Sequence, residues 1–465
     1  MQLNEEQKLV GRRNFLKAAA TLPAAGAFGW AAMNVGPVKC GIVGTGMEGR
    51  VLLEAIDPSY INIHGMCDIR PDNRAIGNWT ISQKLKLNPN PVMYEKYEDM
   101  LNDPAIEAVL IAAPLHMHGP MTIQALNADK HVFTEKTMAA SVDECLDMTR
   151  LAKQKNLNLQ VGHMRFYNPL YWDAYRMYTE GLLGNVYHIR GAWHRNTDWN
   201  YWRYIEQKHF ETMQKFDPTP WDYENVEHLV NWRWYNKTSH GMWTELCSHQ
   251  IAITNWFFGD KAPMAVHAVG THCKSPVDLD ELYRSMKEEE RARLKNYEGD
   301  PREINDHIYA IYEYENNRTV TYSSIQSNAY DKAYEQIMGT WGTVVLMNEN
   351  ESYLFWEPGW DEKSAQEAVI KGNTTQVAVT QESSDGSAFA AHNASGESKG
   401  GGGASDMAPT EPYTFELQGF AHTIRTGAPN LCDGRRGTLA AQAVYCGQEA
   451  ATKNQRIEIP VLDFS

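Results

Sequence analysis

From residue 38 onward, short continuous apolar runs alternate with longer stretches whose apolar residues recur every three or four positions. The runs cover residues 38–43, 61–67, 105–113, 131–134 and 157–161; the periodic stretches cover 50–56, 121–128 and 141–154. Brief apolar runs bounded by turn residues read as strands buried on both faces, and the three-to-four spacing reads as helices. Strands alternating with helices predict a parallel, doubly wound sheet. The pattern then changes. Residues 186–193, 265–270, 308–314 and 319–325 alternate one by one, as half-buried strands of an open, mainly antiparallel sheet do. Residues 415–453 read as helical, with a last strand at 457–461. The expected fold class is α/β, with the parallel sheet first and an α+β domain after it. The boundaries fall at 34–162 and 163–465, and the C-terminal helices are candidates to pack back on the first domain.

Two stretches stand outside this pattern. Residues 278–302 are densely charged, like a solvated helix. Residues 362–412 are polar, include Gly400–Gly403, and read as a long loop or an arm onto a neighbouring subunit.

The first 33 residues read as an address rather than as fold. Gly11-Arg12-Arg13-Asn14-Phe15-Leu16-Lys17 precedes an Ala/Gly-rich run over 18–33, and this resembles a bacterial twin-arginine (Tat) signal. Gly11 stands where the usual pattern has Ser or Thr, and small residues around Ala27 and Ala32 suit cleavage. The resemblance implies passage through the Tat translocon to the periplasm in folded form. Any dissociable cofactor carried along would have no pool to exchange with, so it would be tightly held.

At 465 residues the chain has room for two domains. Its net charge of −15 argues against a nucleic-acid partner, because a chain without basic excess has little to displace counterions from a phosphate backbone. Seven cysteines show no CxxC, and Cys40 and Cys67 sit inside apolar runs as small buried hydrophobes. His163, His188 and His194 lack ligand-like spacing, so no metal site is expected. The 14 Trp and 23 Tyr residues suit stacking on sugar rings as well as packing.

The strongest local chemistry is Gly44-Thr45-Gly46-Met47-Glu48-Gly49, between the first strand and the first helix. Gly44 permits the tight turn, Gly46 lets backbone approach a pyrophosphate, and Gly49 lets helix pack on strand. Asp68 ends the second strand nineteen residues after Gly49, where a carboxylate can accept from ribose hydroxyls and repel a 2′-phosphate. Thr45, Met47, Ile69 and Arg70 complete the expected contacts of a Rossmann dinucleotide site. NAD is favoured over NADP, although Arg70 and Arg74 lie close enough to soften the preference. Glu245 and His249 are four apart in a helical stretch and share a face, a pairing that suits a proton shuttle or a plain surface pair.

Further motifs follow in order: Ala113-Pro114-Leu115-His116-Met117-His118, Ala125-Leu126, Glu135-Lys136-Thr137, Gly162–Pro169, Gly181–Val186 and Gly241–His249. Together they resemble the Gfo/Idh/MocA oxidoreductase family, which includes glucose–fructose oxidoreductase and inositol dehydrogenase, over about residues 38–270. The resemblance implies an NAD(H)-dependent oxidoreductase acting on a ring hydroxyl of a sugar, glycoside or cyclitol. It places Glu135 on the nicotinamide-side ribose, Lys136 beside the reacting carbon, Pro114 and His118 along the nicotinamide pocket, and Arg165 near the cofactor. It makes His249 the proton shuttle, Lys136 its electrostatic partner or alternative base, and Glu245, where the family commonly has Asp, the orienter. Thr137 stands where the family usually has Pro, which puts the local peptide geometry in question. His240, Trp232 and Trp234 are candidate substrate contacts, and homo-oligomers are common in the family. An alternative within the same fold is an NAD-dependent glycoside hydrolase, α-N-acetylgalactosaminidase-like, that oxidises, eliminates, hydrates and reduces. A non-catalytic sugar-binding protein is the third reading.

Overall fold

The structure is a computed structural model and describes residues 3–22, 36–196, 205, 207–241, 243–271, 302–371 and 411–465. Helix α1 (Glu5–Thr21) comes first. The first sheet follows, with β1 (Val38–Val43), β2 (Ile61–Cys67), β3 (Val92–Tyr94), β4 (Ala108–Ile111), β5 (His131–Glu135) and β6 (Leu159–Gly162). Its order is β3-β2-β1-β4-β5-β6, and every pairing is parallel. The crossovers carry α2 (Met47–Glu54), α3 (Pro71–Trp79), α4 (Tyr97–Leu101), α5 (Leu115–Asn127) and α6 (Val142–Lys155). Strand order reverses between β1 and β4, and ligands of such sheets bind at the carboxyl ends beside that switch point. Helix α5 begins six residues before the apolar period does, because its first turns carry His116, His118 and Pro120 in place of apolar residues.

After α7 (Pro169–Thr179) the second sheet opens with β7 (Val186–His194). Helices α8 (Gln207–Gln214), α9 (Val226–Val230) and α10 (Ser248–Phe257) precede β8 (Ala265–Thr271), β9 (His307–Tyr314), β10 (Arg318–Ile325), β11 (Ala333–Gly339), β12 (Gly342–Met347) and β13 (Glu351–Trp356). With β14 (Ile457–Glu458) the order is β13-β12-β11-β7-β10-β9-β8-β14; only β7 and β10 pair parallel. Burial alternates residue by residue along β10, so one face is covered and the other open. Strands β11–β13 went unread in the sequence. Glu335 and Gln336 interrupt the apolar pattern of β11 yet are both buried.

One sequence expectation is corrected. Residues 362–370 are not loop: α11 (Glu362–Ile370) starts at a capping box between Asp361 and Ser364. The helical stretch 415–453 is two helices, α12 (Glu411–Thr426) and α13 (Gly434–Lys453). Gly427 at positive φ and Pro429 end the first, and the Asp433 side chain caps the second. Helix α1 packs on the second sheet. Gly11, Phe15 and Ala18 are buried, a Cβ on Gly11 would press on Phe355 and Tyr353 of β13, and Asn14 Nδ2 donates to the Leu354 carbonyl (3.3 Å). Residues 23–33, with both candidate cleavage positions, and 278–301 lie outside the described residues, as do 372–410. Among the described residues, no helix is long and apolar enough to cross a membrane.

The C-terminal helices hold the two sheets in one relation. On the first sheet, Phe420 of α12 meets Phe133 edge-on at 5.9 Å, and Arg425 pairs with Glu107 at 2.7 and 2.9 Å. Helix α13 touches both sheets: Gly437 packs on Val161 of β6, while Gly447 packs on Trp243 and Tyr312. The Trp243 indole N–H and the Tyr312 hydroxyl donate to the Val444 and Ala443 carbonyls (2.8 and 3.1 Å).

Candidate active site

The carboxyl end of β1 forms a cradle. Gly44 has φ +84°, and a Cβ there would collide with the Ala112 backbone; one on Gly49 would collide with the Gly44 carbonyl. Over Gly46 the space is open, since an added Cβ would meet only Asn73 Nδ2 at 3.7 Å. Gly46 caps α2 without a side-chain hydrogen bond, so the first amides of the helix stay available to an anion. Asp68 accepts the amides of Thr45 (2.7 Å) and Arg70 (2.8 Å), which ties the turn to the end of β2. Burial raises its pKa and those two amides oppose the rise. Its Oδ1, which accepts only the Arg70 amide, keeps a second lone pair for a ribose hydroxyl. The residues present therefore fit a dinucleotide. Thr45 departs from the expectation: its hydroxyl is turned inward onto Asp68 and the Asn73 carbonyl, and it is fully buried. Met47 is 37% exposed at the start of α2, and Ile69 turns into a hydrophobic cluster of residues 205–232. Arg70 pairs with Asp72 (2.6 and 3.1 Å) and Arg74 with Glu95 (3.6 Å), so neither guanidinium is held free for a 2′-phosphate.

At the other lip, Pro114 caps α5. Both ring nitrogens of His118 lie 2.8 Å from carbonyl oxygens, those of Thr137 and Ala113. His118 thus stitches the ends of β4 and β5 together and has no ring nitrogen left for a ligand. The Lys136–Thr137 peptide is cis, and the Thr137 hydroxyl donates to the Thr244 carbonyl. Glu135 is buried; one carboxylate oxygen accepts the Lys136 amide (3.1 Å) and the other has no partner. Burial and the nearby Glu48 push its pKa up to about 8.

Lys136 Nζ donates to the backbone carbonyl of Glu245 (2.9 Å). The Glu245 carboxylate does not orient His249. It accepts from Arg233 Nε (2.6 Å) and Ser239 Oγ (2.5 Å), because residues 243–247 form a π-helical turn, wider than an α turn, which breaks the expected i,i+4 register. His249 is instead held by rings: Trp193 lies 5.3 Å away and His163 meets it edge-on at 5.7 Å. Its Nδ1 is buried without a partner. Burial, then the charges of Lys136 and Arg165, drive its pKa well below the usual imidazole range, so it is a neutral proton acceptor.

Arg165, expected at the cofactor, is spent elsewhere. It is fully buried and pairs with Glu335 of β11 (2.5 Å) and Glu349 (2.7 and 3.0 Å) while lying 5.1 Å from the Trp193 ring. It fixes the ring that fixes His249. Two expected substrate contacts also move. Trp234 is 2% exposed, and Trp232 packs in the 205–232 cluster under the Arg233 guanidinium (4.1 Å). The residue between them, Arg233, is the one that reaches the site. His240, at φ +60°, faces Tyr445 at 5.4 Å.

Sequence reasoning passed over Trp193, Arg233 and Ser239, and weighed His163 only as a metal ligand. His163 alone carried a usable signal, its place directly after the last strand of a parallel sheet. Both its nitrogens are buried without partners, and burial, Lys136 and Arg165 pull its pKa down to about 3. The unfolded chain, at about 6.5, then binds more protons than the folded one between these values, so stability falls as pH drops through that window. His163→Phe is expected to flatten the loss of Tm across that range. A Tm–pH profile parallel to that of the wild type would assign the loss elsewhere.

Among the described residues, no cluster of His, Cys, Asp or Glu could hold a metal. Residues 38–163 match the NAD-binding Rossmann fold of the Gfo/Idh/MocA oxidoreductases, and residues 177–459 match the family's C-terminal α/β domain. The chain is 26% identical over 227 residues to an inositol 2-dehydrogenase/D-chiro-inositol 3-dehydrogenase of Lactiplantibacillus plantarum, covering 48% of this chain and 53% of the relative. It is 26% identical over 219 residues to a glycosyl hydrolase family 109 protein of Shewanella baltica, covering 41% and 47%. The chain thus spans about half the length of these relatives. In fold it is similar to a levoglucosan dehydrogenase solved with NADH and levoglucosan (TM-score 0.63, 16% identity, 91% of this chain and 100% of that one).

Proposed function

Because this chain belongs to the Gfo/Idh/MocA oxidoreductase family, we propose that it is an NAD-dependent dehydrogenase of a ring hydroxyl in a sugar, glycoside or cyclitol. The observation that carries the reading is the convergence of Lys136 and the neutral His249, whose Nδ1 has no hydrogen-bond partner, between the dinucleotide domain and the second sheet. Bound nicotinamide supplies the hydride acceptor or donor. The cradle of Gly44, Gly46 and Gly49, with Asp68 and Glu135, would hold the dinucleotide, and Met47 and Arg70 flank it.

Oxidation of a carbinol leaves a proton to be removed from oxygen. His249, kept neutral by burial and by the Lys136 charge, accepts it; the Lys136 ammonium donates a hydrogen bond to the same oxygen as negative charge grows there. Arg233 and Ser239 hold Glu245, whose carbonyl in turn aims Lys136. His240, on the Tyr445 side, is the remaining candidate to touch the sugar.

Two further parts of the reading concern the whole protein. Arg12 and Arg13 are both exposed on α1, as a twin-arginine export address to the periplasm requires. The open face of the second sheet exposes Tyr309, Ile311 and Val269 by about half and borders a concavity of about 440 Å³, which suits self-association.

The test is the absorbance of purified protein near ~340 nm as sugars, glycosides and cyclitols are added. Lasting reduction with one class establishes the dehydrogenase. The family 109 relative favours a second reading, the NAD-dependent hydrolase. Release of free sugar without lasting reduction would select it. No response of either kind, with NAD loaded, would leave a binding protein and sink the proposal.

A further inference from the structure

The described residues between β7 and α10 have a small core of their own. Ile205, Phe210, Met213, Tyr223, Leu229 and Val230 are all buried. This core does not rest on the second sheet alone. Ile69, directly after Asp68 at the end of β2, packs into it, and α8 lies on α3. On its other side, Tyr223 meets the His116 ring edge-on at 5.5 Å, and the His116 amide donates to the Thr238 carbonyl (3.4 Å). His116 lies in the first turn of α5, just past the end of β4.

Strands β2 and β4 flank β1 on either side. A segment that touches the carboxyl ends of both therefore crosses the end of β1, where the Gly44–Gly49 turn lies. Beneath it the space over Gly46 is open. The Tyr223 hydroxyl is buried in the field of Asp68 and Arg70, the pair at the adenosine end of the cleft.

We propose that residues 207–238 form a roof over the dinucleotide cleft, closed by Tyr223 between Ile69 and His116, and that it retains NAD through turnover. This rests on the reading of the cleft as an NAD site. Both lips must part from one hydrophobic core before the cofactor leaves, so dissociation requires separating apolar surfaces as well as breaking polar contacts.

The test uses the full chain with NADH as probe. Hydrogen exchange with and without NADH is expected to slow at least tenfold across residues 210–230 as well as at the glycine turn. In parallel, NADH release followed by fluorescence is expected to be at least tenfold faster in Tyr223→Ala. Protection at the turn alone, or an unchanged release rate in a folded Tyr223→Ala, would overturn the roof while leaving the NAD site standing. No protection at the turn would overturn the NAD reading and the roof with it. If Tyr223→Ala does not fold, exchange in the wild type decides the matter by itself.

Discussion

Replacing Lys136 with Met is expected to lower kcat by about 10²–10⁴-fold while NADH still binds. The side chain crosses between domains to the Glu245 carbonyl, and its charge is felt by both His163 and His249. Met keeps most of the volume and removes the donor, so the loss belongs to the oxygen on which charge develops. The glycine cradle and Asp68 are untouched, so NADH fluorescence titration should change little. Glu245→Gln makes the informative comparison. It keeps the backbone carbonyl that holds Lys136 and weakens only the grip of Arg233 and Ser239, so its effect should be the smaller. A Lys136→Met enzyme within tenfold of the wild type at saturating substrate would remove this lysine from the chemistry.

Arg165→Met is expected to destabilise the protein by about 3–5 kcal/mol, the usual cost of leaving a buried ion pair with one partner. Arg165 and Glu335 are each 1% exposed at the side chain, and the carboxylate would keep only the Tyr171 hydroxyl (2.6 Å) among its present charged or hydroxyl partners. Burial already raises the Glu335 pKa while Arg165 lowers it, so without the guanidinium it would protonate more readily, which limits the cost toward the lower end. Adding Glu335→Leu should recover much of the loss, because an apolar pair needs no compensation. Urea midpoints of the two variants decide it, and a change under about 1 kcal/mol in the single variant would show that the pair is not buried as described. Arg165 also lies over Trp193, which packs on His249, so kcat should fall together with stability.

The first domain was largely legible because its signals are local. The bounds of β1 and β2 coincide with their apolar runs, and the glycine turn needs only its own backbone to be recognised. Continuous apolar strands separated by helices admit few arrangements other than a covered parallel sheet. Lys136 and His249 were singled out through family motifs, which record three-dimensional requirements in one dimension.

What tertiary structure decided is who touches whom. The i,i+4 spacing of Glu245 and His249 promised a pair, but a π turn and two distant donors took the carboxylate away. Arg165 looked like a cofactor contact until two carboxylates 170 and 184 residues onward claimed it. Trp232 and Trp234 read as substrate walls, and burial made them packing while Arg233 between them reached the site. Helix α1 lies outside the alternating pattern, and tertiary structure fits its small residues against β13. For Glu245 and Arg165 the physical reason is the same. Periodicity and turn chemistry depend on neighbours within a few residues, whereas a buried charge is paired with whichever opposite group the fold brings within about 3 Å, because an unpaired one is too costly to bury.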